Sequence, residues 1–433
     1  MKIWTRNISY EKFAEIKPRE HKKPRKQLWL FRPLLKLVTD IMLWPTGMKY
    51  NKTGMEKLKK DEPCLVLMNH SAFEDLEIVA NLMHKRPYHI VCTLDSYVGI
   101  LGPVLRLLGC IVTRKFVTEL DLVKDMLYTV NTLKESVVMF PEAGYSFDGT
   151  HTTLPESLGK CVKLMKVPVV MVHTYGAFSR VPLYNGLQIR KVKLSADVEY
   201  VLSPEDIREK SADELQKIIE EKFAYDHFKW QQDNQICISE SFRADHLNRV
   251  LYQCPHCLTE GRMEGKGITL TCHHCGKQYE LTEYGYLQAT EGETRFDHIP
   301  DWYRWQRSQV RRQLEEGSYL LDTEVDIYAL KNPTFLYRIG EGRLCHDKEG
   351  FHLTGCDGKL DYRQSPMASY SLNSDFYWYE IGDMISIGDA KCLYYCFPKH
   401  DKDVAAKARL AAEELYKMTK QPRFVDRSKG KAL

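Results

Sequence analysis

The stretch CLVLMNHSAFED, residues 64–75, decides how the first half of this chain folds. Its first five residues, Cys64–Met68, form an apolar run of strand length, and from Ala72 onward apolar side chains recur at helical spacing. The residues between them are types that favour turns and helix caps. The stretch therefore predicts a buried strand, a short turn that carries His70, and a helix that starts directly behind it.

His70 and Asp75 are five residues apart, a separation of about 140° on one ideal helix, so the two side chains would not share a helix face. They can meet only if His70 lies in the turn and Asp75 in the first turns of the helix. Asp75 would then fix the imidazole tautomer and leave the other ring nitrogen as a general base near neutral pH. Because the chain has 15 His, a structural or surface histidine is the competing interpretation of this pair alone.

Four segments, in order, resemble the signature blocks of the glycerolipid acyltransferase family of the lysophosphatidic acid acyltransferase type. The resemblance covers roughly residues 50–225. The segments are NHSAFED at 69–75, which resembles NHxxxxD, GCIVTRK at 109–115, FPEAGYS at 140–146, which resembles FPEGTRS, and VPVVMV at 167–172.

The resemblance implies an O-acyltransferase similar to 1-acylglycerol-3-phosphate O-acyltransferases. Such an enzyme moves a fatty acyl group from acyl-CoA or acyl carrier protein to a hydroxyl of a lysophospholipid acceptor. The matching positions make His70 the base, Asp75 its partner, Arg114 the phosphate contact and Glu142 the acceptor-binding carboxylate. Lys115 is a possible second charge for the phosphate.

One position departs from the third block, where the family has an Arg and this chain has Tyr145. Tyr145 either replaces that phosphate contact by a hydroxyl hydrogen bond or marks an acceptor of different shape. Gly144 beside it is expected to let the backbone turn sharply or approach the substrate. No Ser or Cys lies in an elbow-like context, so direct transfer is favoured over an acyl-enzyme, and Ser71 is interpreted as a helix cap.

The alternative function is a catalytically degenerate acyltransferase scaffold that serves as a zinc-ribbon protein or lipid-binding module. The change at Tyr145 favours this alternative, whereas the intact pair of His70 and Asp75 favours the enzyme. Hydrolysis of the thioester by water is a third possibility.

A second motif lies beyond the acyltransferase-like region, where two CxxC pairs are separated by fourteen residues. This spacing is typical of a four-thiolate structural zinc site. Mixed ligation through the neighbouring His256, His273 or His274 is the less favoured alternative. The predicted zinc ligands are Cys254, Cys257, Cys272 and Cys275. No dense basic and aromatic surface surrounds the motif, so we expect no nucleic-acid partner.

The charge of the chain is uneven, since residues 1–60 hold 16 Lys and Arg against 5 Asp and Glu within a chain of net charge +4. This basic region includes the most apolar stretch, Leu28–Pro45, whose central helix of about 18 Å is too short for a hydrocarbon core of about 30 Å. It suits a helix lying in the interface of an anionic membrane, and packing on the protein's own core is the alternative. Without an apolar signal segment after Met1–Asn7, and with an odd 13 Cys, we expect a cytoplasmic protein, peripheral on the cytoplasmic membrane face.

The length of 433 residues predicts two or three domains. The fold class is α/β, with a mostly parallel sheet in the acyltransferase-like domain, followed by a zinc ribbon and a small β-rich domain that resembles pleckstrin-homology domains in architecture only. The predicted boundaries are a membrane-interface segment at 1–49, the acyltransferase-like domain at 50–235, the zinc ribbon at 236–290, a linker helix at 291–316, the β-rich domain with a C-terminal helix at 317–422 and a polar tail at 423–433.

Overall fold

The computed structural model describes residues 2–400 and 403–420. Within these ranges the strands form sheets of seven, four and eight strands. The predicted tail at 423–433 and the first residues of the predicted C-terminal helix, 401–402, lie outside the described residues.

The elements of the first half build the seven-stranded sheet and its helices, apart from the first strand and the first helix. In chain order they are β1 (Thr5–Asn7), α1 (Tyr10–Ala14), α2 (Phe31–Leu43), β2 (Lys49–Thr53), β3 (Leu65–Met68), α3 (Glu74–Leu82), β4 (Tyr88–Thr93), α4 (Leu101–Leu107), β5 (Ile111–Thr113), α5 (Leu120–Tyr128), β6 (Ser136–Met139), α6 (Leu158–Met165), β7 (Val169–Tyr175), α7 (Ala177–Arg180), β8 (Ser195–Leu202), α8 (Pro204–Glu209), α9 (Ala212–Phe223) and α10 (His227–Asp233).

The elements of the second half build the other two sheets. They are β9 (Met263–Lys266), β10 (Thr269–Cys272), β11 (Gln278–Leu281), β12 (Leu287–Ala289), α11 (Ile299–Glu316), β13 (Leu321–Leu330), β14 (Leu336–Asp347), β15 (Gly350–Gly355), β16 (Leu360–Gln364), β17 (Asn373–Trp378), β18 (Gly382–Gly388), β19 (Leu393–Pro398) and α12 (Val404–Lys420).

The seven-stranded sheet has the order β2-β8-β7-β3-β6-β4-β5. Neighbouring strands run parallel except β7 and β8, which are antiparallel. The α/β class is therefore confirmed, and the sheet is mixed. Strand β3 lies in its interior. Val66 packs with Ile78 of α3 on one face, and Leu67 packs with Val162 of α6 on the other. Burial on both faces explains why this strand is continuously apolar.

The second half is rich in antiparallel sheet. Strands β9 to β12 form a meander beside the four cysteines. Strands β13 to β19 form a second antiparallel sheet of order β16-β15-β14-β13-β19-β18-β17, in which β13 pairs with both β14 and β19. Helix α12 packs on α11 and β17. This confirms the expectation of a β-rich region followed by a helix, while the likeness to a pleckstrin-homology domain stays a prediction.

The N-terminal residues make a contact that the sequence pattern did not indicate. Strand β1 pairs in parallel with β14, and Phe13 of α1 is buried beside Tyr337. Residues 5–19 therefore pack on the C-terminal sheet. The prediction of a membrane-interface segment at 1–49 did not anticipate this contact.

The two halves share one hydrophobic cluster. It extends from Phe147 and Phe178 through Leu270 and Trp302 to Leu344 of the C-terminal sheet. The C-terminal sheet and α12 are thus packed against the loop that follows β6, where the third sequence block lies. No helix of the described ranges combines the length and the apolar character needed to cross a bilayer.

Candidate active site

His70 and Asp75 meet at the carboxyl end of β3, as the local sequence predicts. Asn69 and His70 follow the strand directly, and α3 begins one residue before Asp75. The Nδ1 atom of His70 lies 3.2 Å from Oδ2 of Asp75, whose side chain is completely buried. The turn brings together two side chains that a continuous helix would have separated.

Asp75 is held by more than the imidazole. Its Oδ2 accepts the backbone N–H groups of Ser71 at 2.6 Å and Ala72 at 3.0 Å, and its Oδ1 accepts the Thr174 hydroxyl at 3.0 Å. Hydrogen-bond donors on both oxygens favour a carboxylate that is charged and fixed in direction. Asp75 therefore orients His70 from a rigid position.

The His70 ring lies between two aromatic rings, with its centroid 4.3 Å from that of Phe140 and 4.1 Å from that of Tyr145. Burial lowers the pKa of His70 below its ordinary 6.5, and Asp75 opposes that shift. The imidazole is thus mainly neutral at neutral pH, with Nδ1–H donating to Asp75 and Nε2 left to accept a proton.

Glu142 braces the same site from the loop after β6. Its carboxylate accepts the backbone N–H of His70 at 3.0 Å, the backbone N–H of Thr152 at 2.7 Å and the hydroxyl of Tyr225 at 2.9 Å. Burial raises the pKa of Glu142 to about 7. Both oxygens are engaged by the protein, and its role in acceptor binding stays a prediction.

The loop that holds Gly144 and Tyr145 is closed by the C-terminal helix. Arg409 of α12 donates to the backbone carbonyl of Tyr145 at 2.9 Å. The backbone turns at Ala143, which has a positive φ of 55°, whereas Gly144 is outside the positive-φ region. A Cβ on Gly144 would lie 3.6 Å from the Arg409 guanidinium. The sharp turn expected at Gly144 is therefore made one residue earlier.

Arg114 follows β5, where its guanidinium pairs with Glu119, and its backbone N–H donates to the same carboxylate at 2.9 Å. Its Nε has no hydrogen-bond partner within the described part of the chain. Lys115 points its Nζ toward the Tyr145 ring, 5.8 Å from the centroid. Burial raises the pKa of Asp375 of β17 to about 6, and the positive charge of Lys115 opposes that shift. A positive group thus stands near His70, while the phosphate contacts of Arg114 and Lys115 stay predictions.

His227, which carried no signal in the sequence, lies beside Ser71 in the site. Ser71 places its Oγ 2.8 Å from Nε2 of His227, and both side chains are buried. Burial lowers the pKa of His227 to about 4, so the ring is neutral and shares one hydrogen bond with the Ser71 hydroxyl. Ser71 does not cap α3, whose N-cap position is occupied by Phe73. Its burial favours a structural role over a nucleophilic one.

The four cysteines of the second motif converge. Their Sγ atoms all lie within 4.8 Å of one another. The pairs Cys254–Cys275 and Cys257–Cys272 are 3.8 Å and 3.7 Å apart. A tetrahedral Zn²⁺ with Zn–S bonds of about 2.3 Å requires sulfurs roughly 3.8 Å apart, so the cluster fits a metal ion. The neighbouring His256, His273 and His274 are exposed, and His273 bonds Glu264 instead.

Comparison with known proteins gives one family match. A family model described as Acyltransferase matches residues 49–174, the range that holds His70, Asp75, Arg114, Glu142 and Tyr145. No curated protein sequence matches the chain.

Among solved structures, the chain is similar to the 1-acyl-sn-glycerophosphate (LPA) acyltransferase PlsC from Thermotoga maritima. That similarity has 16% sequence identity and a TM-score of 0.38, and it covers 44% of this chain and 76% of that one. A likeness of this degree does not by itself establish a shared activity.

Proposed function

We propose, from the acyltransferase family match of residues 49–174, that the protein is an O-acyltransferase of glycerolipids. It moves a fatty acyl group from acyl-CoA or acyl carrier protein to a hydroxyl of a lysophospholipid. The observation that carries this proposal is the neutral His70 imidazole oriented by the buried, fully hydrogen-bonded Asp75.

The chemical step needs one base. Nε2 of His70 takes the proton of the acceptor hydroxyl while its oxygen attacks the thioester carbonyl. A C–O bond forms, the C–S bond breaks, and the imidazolium returns its proton to the leaving thiolate. Asp75 stabilises the imidazolium in between. No covalent enzyme intermediate is required, in keeping with the buried Ser71.

The acceptor is proposed to carry a phosphate, bound by Arg114 with help from Lys115. Guanidinium groups bind phosphate oxygens in pairs, and the unpartnered Nε of Arg114 leaves a donor available. Glu142 is proposed to act mainly by holding the backbone of His70. Tyr145, packed on the His70 ring, is proposed to shape the acceptor site in place of the missing arginine.

The substrate is proposed to reach the site from a lipid surface. Most apolar side chains of α2 and its flanks are exposed, whereas Leu43 is buried. The helix contacts α3 through Thr39 and Asp40, to which Asn81 donates at 3.2 Å and 2.7 Å. A helix with exposed apolar residues beside a basic segment suits an anionic membrane surface. The exposed side chains include Trp29, Leu30, Leu34, Leu37, Ile41 and Trp44.

The four-cysteine cluster is proposed to hold a structural zinc ion. All four ligands come from the protein, which leaves no open position for substrate. The cluster belongs to the hydrophobic core shared with α11 and the C-terminal sheet. The ion would therefore stabilise the region that packs on the third-block loop.

A second candidate is the degenerate scaffold that binds lipid or protein without catalysis. The packing of Phe140 and Tyr145 around His70, which leaves its side chain only 13% exposed, favours this candidate. The two functions differ in whether a lipid product forms.

The test is mass spectrometry of lipids after incubating the purified protein with acyl-CoA or acyl carrier protein and a panel of lysophospholipids. The enzyme account predicts a diacyl product from wild type and none from His70→Ala. Equal, background-level product from both proteins with every donor and acceptor would leave the binding function as the better account.

A further inference from the structure

A polar cavity of about 410 Å³ lies between the loop after β6, helix α11 and helix α12. The cavity is separate from the His70 ring, but two of its lining residues hold Glu142 and Tyr145, which contact His70. Thr152, which lines the cavity, donates its backbone N–H to Glu142. Arg409, which also lines it, donates to the carbonyl of Tyr145.

Arg409 is a buried cation that no carboxylate of the described residues contacts directly. The carboxylates that favour its charged form from a distance are Glu413, Asp375 and Asp148. It is 4% exposed, and its hydrogen bonds go only to the neutral oxygens of Ser374 and Tyr145. Its guanidinium also lies over the Phe147 ring, 3.6 Å from the centroid. The hydrogen bonds use three of the five N–H donors of the guanidinium. A buried charge is most stable when it is paired directly, so the two remaining N–H donors suit an anionic ligand.

Tyr303 of α11 supplies an independent observation in the same cavity. Its side chain is 6% exposed, and its hydroxyl has no hydrogen-bond partner in the described ranges. Both Arg409 and Arg307 act electrostatically on this hydroxyl. An unsatisfied buried hydroxyl is destabilising, and it indicates a polar group that completes the site.

The acidic residues of the cavity already have partners. Glu413 bonds Arg307 and Ser371. Glu156 pairs with Lys420, and Glu220 accepts from Gln216. Asp148 accepts the backbone and hydroxyl groups of Thr150, and burial raises its pKa. Among the described residues that line the cavity, Arg409 keeps N–H groups without an acceptor, and the hydroxyls of Tyr303 and Thr152 have no hydrogen-bond partner.

We propose that this cavity is a binding site for a phosphate monoester, held by Arg409 and Tyr303. A monoester offers three acceptor oxygens and a charge that complements one buried guanidinium. The volume accommodates a small organic phosphate. The same chemistry comes either from the headgroup of a lysolipid phosphate or from a free phosphorylated metabolite. The proposal does not rest on the acyltransferase activity.

The test is isothermal titration calorimetry of the full-length protein, without acyl donor. The probes are inorganic phosphate, sn-glycerol 3-phosphate and lysophosphatidic acid below its critical micelle concentration. Glycerol is the uncharged control. We expect saturable binding of at least one phosphate, with the tightest probe identifying the source, and no binding of glycerol. Absence of saturable binding for all three phosphates overturns the proposal.

Tyr303→Phe should weaken that binding about 10-fold or more, because it removes one hydrogen bond to a charged ligand and no bond within the protein. Tyr252→Phe is the matched control, since its buried hydroxyl is also unpartnered but does not line the cavity. Tyr303→Phe should melt at the same temperature as wild type. Arg409→Lys should weaken binding as well. Wild-type affinity in Tyr303→Phe overturns the proposal.

Two further variants separate this site from the proposed acyl-transfer site. His70→Ala should bind the phosphate probe as wild type does, whether or not the protein is an acyltransferase. Arg114→Gln should lose only the binding that belongs to the proposed acceptor site, and the binding that Tyr303→Phe weakens should remain. Loss of binding in Arg114→Gln, with full binding in Tyr303→Phe, would assign the phosphate to Arg114 and overturn the cavity proposal.

Discussion

Replacing Asp75 by asparagine should remove the charge behind His70 while keeping its hydrogen bonds. The amide oxygen can take the place of Oδ2 and accept from His70, Ser71 and Ala72. The amide N–H group then faces the Thr174 hydroxyl. That hydroxyl can accept it, because its own proton can go to Asn69 at 3.1 Å. In the reverse orientation the amide N–H group of the new asparagine would face the backbone N–H groups of Ser71 and Ala72, so only the first amide orientation is favourable.

The magnitude follows from the lost attraction between imidazolium and carboxylate. Their nearest atoms are 3.2 Å apart. Two unit charges about 4 Å apart at an effective dielectric constant of about 20 attract by about 4 kcal/mol. At about 1.4 kcal/mol per factor of ten, kcat should fall about 1,000-fold. Asp75→Ala should instead destabilise the fold, since it leaves several buried donors unpaired at about 1–3 kcal/mol each.

The assay is release of free thiol from acyl-CoA in the presence of a lysolipid acceptor, with a melting curve for each variant. Asp75→Asn should melt near wild type and lose nearly all of the acceptor-dependent rate. A rate within about tenfold of wild type, at unchanged stability, would refute the role of Asp75 as the electrostatic partner of a catalytic His70.

The remaining predictions concern pH, membrane and metal. Because burial lowers the pKa of His70, the neutral base persists below pH 6.5, and protonation of His70 should reduce kcat/KM only under pH 6.5, separately from any effect of Glu142, whose pKa burial raises to about 7; absence of a decline under pH 6.5 would contradict this. The double variant Leu37→Asp, Ile41→Asp should bind anionic vesicles about tenfold more weakly per side chain, measured by cosedimentation. Leu320→Asp, equally exposed but outside α2, should bind like wild type. Equal binding by all three proteins counts against the interfacial helix. Cys254→Ser should lose one zinc per chain and lower the melting temperature, whereas Cys237→Ser, an exposed thiol outside the cluster, should keep the metal; unchanged zinc in Cys254→Ser retires the zinc site.

Point substitutions test the membrane surface better than truncation. Removal of the first 45 residues would also remove β1 and the buried Phe13 from the C-terminal sheet. Reduced vesicle binding by such a protein would mix lost lipid contact with a damaged fold.

Local sequence was sufficient wherever the contact is local. His70 and Asp75 meet across five residues because a buried strand, a turn and a helix follow one another. The cysteine cluster joins two close pairs whose spacing is itself the signal. In both cases the residue types between the partners determine the geometry.

The rest of the site depends on contacts that no local pattern encodes. Thr174 reaches Asp75 from 99 residues away, and Arg409 reaches Tyr145 from 264 residues away. The departure at Tyr145 indicated that the third block is unusual here. Which element covers that loop became visible only in the packing of α12, because helical periodicity predicts a buried face but not its partner.

Acceptor-dependent thiol release from acyl-CoA, compared between wild type and His70→Ala, tests the central claim most directly. The account predicts release by wild type only when a lysolipid acceptor is present, and release at the uncatalysed rate by His70→Ala. Identical rates for the two proteins with every acceptor, or release by wild type that is independent of acceptor, would contradict acyl transfer by His70.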